Sequence, residues 1–155
     1  MAEQGFTLTS PAFQADAVIP QAYTCDGDNK SPELNWIHPP NGTQSFVLIL
    51  EDPDAPNGTF THWVLFDIPA QRNKIPEGGN GVGVGALNDF QHDHYGGPCP
   101  PPNHGDHRYY FRLYALDVES LGLEAGVKRE EVEKAMQGHV IEEIELMGRF
   151  QRTTG

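Results

Sequence analysis

Phe46-Val47-Leu48-Ile49-Leu50-Glu51-Asp52-Pro53-Asp54-Ala55-Pro56-Asn57-Gly58-Thr59-Phe60-Thr61-His62-Trp63-Val64-Leu65-Phe66-Asp67-Ile68 places two apolar runs on either side of a loop built from Asp, Pro, Asn and Gly. Phe46–Leu50 shows no polar alternation, which is how a strand buried on both faces reads. His62–Ile68 is the second run, rich in branched and aromatic residues that fit a pleated surface. Asn57-Gly58 between them favours a reversal of direction. In a hairpin centred on Asn57, Asp52 and His62 stand opposite each other. Alternation puts Leu48 and Leu50 on the face of Asp52, and Val64 and Phe66 on the face of His62. Each polar group then ends an apolar row, and a carboxylate meets an imidazole at the rim of a core. The loop holds two prolines, so the turn alone does not fix this register. Ordinary turn chemistry is the competing account of its Asp and Pro residues.

Outward from this pair, His107–Asp117 reads as a third strand. Its alternation puts His107, Tyr109, Phe111, Leu113 and Ala115 on one face and Arg108, Tyr110, Arg112 and Tyr114 on the other. Glycine (17) and proline (13) supply 30 of 155 residues without a period, so many turns divide short strands. Most of the fold is therefore expected to be sheet, in one domain over residues 1–155. Helical spacing occurs only near the C-terminus, where Val132, Met136, Val140, Ile144 and Met147 form one stripe. Glu130 and Glu131 suit the positive end of such a helix. Gly138 interrupts it, Gly148 reads as its C-terminal cap, and Phe150 as the start of a closing strand.

Ten basic against 22 acidic side chains give a net charge of −12. Residues 1–104 carry 3 basic and 12 acidic groups, and 105–155 carry 7 and 10, so neither part is basic. Neutralising a phosphate backbone takes clustered Lys and Arg, which excludes nucleic acid as the expected partner and disfavours an anionic bilayer. The longest apolar run, Phe46–Leu50, falls far short of the roughly 20 residues of a membrane-spanning helix. Met1–Gly5 lacks the cationic and apolar parts of a signal peptide. A cytoplasmic location is expected on these grounds, although a processed secreted chain reads the same way. Cys25 and Cys99 form no CxxC pair and are too few for a disulfide scaffold. Two thiols are the expectation over a bridge.

A second polar constellation runs from Gly96-Gly97-Pro98-Cys99 through Pro100-Pro101-Pro102-Asn103-His104 to Gly105-Asp106-His107-Arg108. Prolines have no N–H, so only Gly96, Gly97 and Cys99 can donate from the backbone of 96–102, a candidate nest for a small anion. A stiff loop without a ligand is the competing reading. His107 and Tyr109 follow on one strand face, about 6–7 Å apart by the rise per residue. Arg108 points the other way, with a salt bridge behind the site as its expected role. His92, His94, His104 and His107 raise the question of a metal, but their spacing is not that of a zinc site, and none is expected. No Gly-x-Ser-x-Gly elbow is present. Asp52, His62 and His107 could do acid–base work, yet nothing in the pattern requires turnover. No cofactor is expected.

Asp52-Pro53-Asp54-Ala55-Pro56 with His62-Trp63, then Gly97-Pro98 and Gly105-Asp106-His107-Arg108-Tyr109, resemble the phosphatidylethanolamine-binding protein family in its short bacterial and archaeal, Raf kinase inhibitor-like branch. Tyr23-Thr24-Cys25-Asp26-Gly27, Ser31-Pro32-Glu33-Leu34-Asn35-Trp36 and the stretch from Gly138-His139 to Glu145-Leu146-Met147-Gly148 resemble it too. The similarity runs from about Phe6 to Phe150. It implies a mainly β fold, with a large central antiparallel sheet, a smaller sheet and short helices toward the C-terminus. It also implies an anion pocket formed by Asp52, Asp54, His62, Gly97, Pro98, His107 and Tyr109, taking phosphate-type groups such as phosphorylethanolamine. The implied partners are a small phosphorylated ligand or phospholipid headgroup and a kinase or protease, with a homodimer allowed. Mammalian members close the pocket with a tyrosine from a further C-terminal helix, and nothing after Phe150 supplies it here. The expected function is a non-catalytic binding protein. The alternative is a hydrolase using Asp52, His62 and His107, with or without a metal ion.

Overall fold

The computed structural model describes residues 5–79 and 81–152, so the N-terminal residues Met1–Gln4 read above lie outside it. Two antiparallel sheets carry the chain. The large one has the order β6 (Val84–Ala86), β4 (Phe60–Pro69), β3 (Ser45–Asp52), β7 (His107–Leu116), β8 (Val140–Phe150). The small one has the order β1 (Thr7–Thr9), β2 (Leu34–Ile37), β5 (Lys74–Ile75). One helix, α1 (Arg129–Met136), and a single 3₁₀ turn at Gln21–Tyr23 are the helical elements of the described residues.

β3 is buried along all 8 of its residues, as its unbroken apolar run demands. Its two faces feed two cores. Phe46, Leu48 and Leu50 join Trp63, Leu65, Tyr109, Phe111 and the Trp36 of the small sheet. Val47 and Ile49 join Val64, Phe66 and Leu116 under Val132 and Met136 of α1. β7 buries the His107, Tyr109, Phe111, Leu113 and Ala115 face that alternation predicted. Because β3 lies between β4 and β7, the loop ending β3 and the start of β7 meet at one edge of the sheet.

The C-terminal stripe differs from expectation. Only Val132 and Met136 belong to a helix, with Glu130 and Glu131 in its first turn. Gly138 then takes φ +82°, a left-handed conformation open to glycine, and turns the chain back into β8. Residues spaced by four lie on one face of a helix and, four being even, on one face of a strand as well. The chain uses the second option: Val140–Phe150 pairs with β7, with Leu113 opposite Ile144 and Phe111 opposite Leu146. Phe150 ends this strand, and Gly148 is no helix cap. A Cβ on Gly148 would lie 2.5 Å from Ile19 Cγ1 and 2.8 Å from Phe13 Cε2, so glycine is there for close packing.

Two substitutions test this packing. Phe66→Ala is expected to cost about 3–5 kcal/mol, read as a lower melting temperature. Gly148→Ala is expected to cost about 1–3 kcal/mol by overpacking, whereas an unstrained alanine at a solvent-facing turn would change the melting temperature little.

Candidate functional site

Asp52 closes β3 with a side chain that is 3% exposed. Its Oδ1 accepts the backbone N–H of Asp54 at 2.8 Å, which turns the chain, and its Oδ2 accepts from His107 Nδ1 at 2.6 Å. Asp54 accepts the backbone N–H of Arg108 at 2.9 Å and takes the guanidinium on both oxygens, at 2.8 and 2.9 Å. Those Arg108 hydrogen bonds hold the Asp54 carboxyl down to about 2. The Asp-Pro-Asp of one loop thus grips the consecutive His-Arg that opens β7. Asp54 faces away from the cavity and serves as a clamp, with Arg108 in the salt bridge expected behind the site.

His107 is 1% exposed and both of its ring nitrogens are engaged, Nε2 with His104 Nδ1 at 2.6 Å. A carboxylate accepts only, so Nδ1 carries a proton toward Asp52. The ring is therefore fixed between Asp52 and His104. His104 was read in the sequence only as one of four clustered histidines.

His62 reaches the same place by an irregularity. The register pairs Asp52 with Phe60 and not with His62; Glu51 pairs with Thr61 and Leu50 with Trp63, so His62 is the extra residue of a β-bulge. The bulge moves His62 off the face of Val64 and Phe66, where simple alternation put it. Its ring now lies 5.4 Å from that of Tyr109, on the side of the first core. His62 Nδ1 meets the Gly96 carbonyl at 2.7 Å, leaving Nε2 for the cavity. Burial pushes its pKa below the ordinary histidine value, against weaker upward pulls from the Gly96 carbonyl and Asp52.

These groups line a cavity of about 490 Å³. Asp52, His62, His107 and Tyr109 supply its polar floor, and Phe60, Phe90, Pro56, Pro100 and Pro101 its apolar walls. Tyr109 is fully buried and its hydroxyl forms no well-aligned hydrogen bond, although the Asp52 carboxylate lies near enough to act on it as an acceptor. Burial and the Asp52 carboxylate push its ionisation well up, so the group is a neutral O–H. Pro56, Pro100 and Pro101 belong to the two constellations that the sequence offers, whereas Phe60 and Phe90 carry no sequence pattern that marks a cavity wall.

The proposed glycine nest does not form as read. Gly96 N–H donates to the His62 carbonyl at 3.1 Å and Gly97 N–H to Asn29 Oδ1 at 2.8 Å. Gly97 and Pro98 are buried behind the lining, and a Cβ on Gly97 would run into the Tyr23 carbonyl oxygen. The two cysteines are not free thiols: Cys25 and Cys99, 74 residues apart, are joined in a disulfide, and Cys99 borders the cavity. Neither has a local spacing that announces the other. His92 and His94 stack on each other with ring centres 4.8 Å apart, exposed and away from this cavity. Among the described residues no three His, Cys, Asp or Glu side chains gather as a metal-binding group.

A family model described as phosphatidylethanolamine-binding protein matches residues 9–151. A UPF0098 protein of Aquifex aeolicus is 49% identical over 150 residues, covering 92% of this chain and 86% of its own. One from Methanothermobacter thermautotrophicus is 45% identical, covering 94% and 98%. The crystal structure of a phosphatidylethanolamine-binding protein homologue from Chlamydia trachomatis superposes with a TM-score of 0.91 at 39% identity, over 97% of this chain and 99% of that one. YbcL of E. coli gives 0.89 at 28% identity, over 96% and 99%. With a family model across nearly the whole chain and relatives this similar, the chain belongs to the phosphatidylethanolamine-binding protein family.

Proposed function

We propose that the cavity binds a small phosphate-type anion, such as the headgroup of phosphorylethanolamine or a phosphoryl group on a protein segment, without turning it over. The observation that carries this reading is the Tyr109 hydroxyl, buried, neutral and without a well-aligned hydrogen bond on the cavity floor. An unsatisfied buried donor costs free energy unless a ligand completes it. His62 Nε2 adds a second group, which donates to an anion once the ring is protonated.

The charges explain how an acidic protein could hold an anion. Asp52 lies on the cavity floor, where the His107 and Asp54 N–H groups that it accepts offset part of its charge. His107, with both ring nitrogens engaged by Asp52 and His104, acts in this reading by orienting the floor and leaves donation to His62 and Tyr109. The alternative, a hydrolase built on Asp52, His62 and His107, has the weaker support, since both ring nitrogens of His107 are engaged and Asp52 accepts from His107 and the Asp54 N–H. Regulation of a kinase or protease would follow from a partner that carries the phosphoryl group.

Isotope-labelled protein titrated with phosphorylethanolamine, inorganic phosphate and sulfate tests the reading. Saturable shifts are expected at the His62 ring and the Tyr109 and Cys99 amides; their absence removes the proposal. Burial keeps the free His62 ring neutral, whereas a bound anion favours the imidazolium, so binding takes up a proton. Affinity then rises as pH falls, by at most about tenfold per pH unit. Sulfate keeps its charge over this range, so its slope reports the protein alone. A flat profile from pH 8 to 5.5, or one unchanged in His62→Gln, contradicts the mechanism. Tyr109→Phe should weaken binding about five- to tenfold by removing one hydrogen bond while changing the melting temperature little, since the hydroxyl forms no well-aligned hydrogen bond in the free protein. Unchanged affinity in that variant would remove the observation on which the reading stands.

A further inference from the structure

Between Pro98 and Pro102 the chain runs Pro98-Cys99-Pro100-Pro101-Pro102, and Cys99 owns the only backbone N–H. Such a segment can form few hydrogen bonds of its own, yet Cys99, Pro100 and Pro101 make one wall of the cavity. Its position is set from outside, by the loop that follows the 3₁₀ turn. Cys25 N–H donates to the Pro98 carbonyl at 3.1 Å, and Tyr95 Oη donates to the Tyr23 carbonyl at 2.7 Å. Asn29 Oδ1 takes the Gly97 N–H at 2.8 Å. Arg152 donates to the Pro100 carbonyl at 3.4 Å while pairing with Asp26 at 3.2 Å. The covalent member of this set is the Cys25–Cys99 bridge. Cys99 is exposed, so small reagents reach it.

With Gly96 and Gly97 donating internally, Cys99 retains the remaining N–H of the three candidates. We propose that the Cys25–Cys99 disulfide is a positioning element of the anion site, holding the Cys99 N–H toward the ligand, and that its reduction turns the site down. This rests on the anion-binding reading above. The chemistry is thiol–disulfide exchange with a dithiol. Its thiolate attacks Cys99 Sγ, the Cys25–Cys99 S–S bond breaks, and Cys25 leaves as a thiolate that takes a proton. The second thiol of the reagent then displaces Cys99, so that one cyclic disulfide forms for each protein bridge reduced to two thiols. The freed wall must be ordered again at each binding event, and preorganisation is lost. Bridges of this kind persist in oxidising compartments and are rare in reducing ones, so the redox state of the surroundings would set the strength of the site.

The test is the affinity of the full chain for inorganic phosphate before and after dithiothreitol, followed at the Cys99, His62 and Tyr109 amides. Reduction is expected to weaken binding about tenfold, reoxidation to restore it, and the double variant Cys25→Ser/Cys99→Ser to bind like the reduced protein and ignore the dithiol. Equal affinity in both redox states overturns the proposal while leaving the site reading intact. An oxidised protein that does not bind phosphate removes the site reading itself. Amide shifts of β3 and β7 report whether the sheet survives reduction; if it unfolds, the bridge is a general staple and the local role is overturned.

Discussion

Taking the Asp52 carboxylate out of water removes a large hydration energy, which only well-placed donors can replace. Two do so, the Asp54 N–H within its own loop and the His107 ring at the start of β7. Asp54, two residues on, repeats the arrangement with Arg108. Consecutive residues of β7 point to opposite faces, so these two contacts grip the strand from both sides of the sheet. The loop after β3 cannot move without breaking a buried carboxylate contact. The cavity floor, the orientation of His107 and the place of Tyr109 one step further along the strand all follow from that constraint.

Onto this floor the fold adds groups that differ in kind. His62 arrives through a β-bulge, which lets one strand contribute both His62 and Trp63 to the same side of the sheet. Tyr109 arrives by plain alternation. The walls come from loops rich in proline and from Phe60 and Phe90, whose rings meet edge to face at 4.8 Å. A floor of few donors within apolar walls suits a compact polar group better than an extended charged surface. It also matches a chain whose Lys and Arg are largely committed to partners, such as Arg112 with Glu51 and Glu145, or Arg149 with Asp106.

What was legible in the sequence was whatever depends on residues close along the chain or on a clean period. The double burial of Phe46–Leu50, the buried face of β7 and the role of Arg108 all belong here, and the ordered motifs carried the family. The rest depends on residues far apart. A one-residue bulge reversed the face of His62, and counting about a turn has no means of finding it. A spacing of four fitted helix and strand equally, and the pairing with β7 decided between them. Gly96 and Gly97 looked free to hold an anion until His62 and Asn29 came to meet them, and Cys25 lay 74 residues from Cys99. His104 showed no signal beyond its proximity to other histidines, yet it engages the second nitrogen of His107.

β3 is paired on both sides and covered on both faces. A strand so placed has no way to open on its own, and its amides exchange with solvent only when the surrounding sheet comes apart. Asp52 is its last residue, paired with β4, whereas the loop from Cys99 to His104 is held by the Cys25 bridge, the Arg152 contact to Pro100 and the His104–His107 hydrogen bond, none of them part of the sheet ladder. The two sides of the cavity are therefore held by separate means. Loosening the rim would leave the carboxylate beneath in its geometry for as long as the protein stays folded.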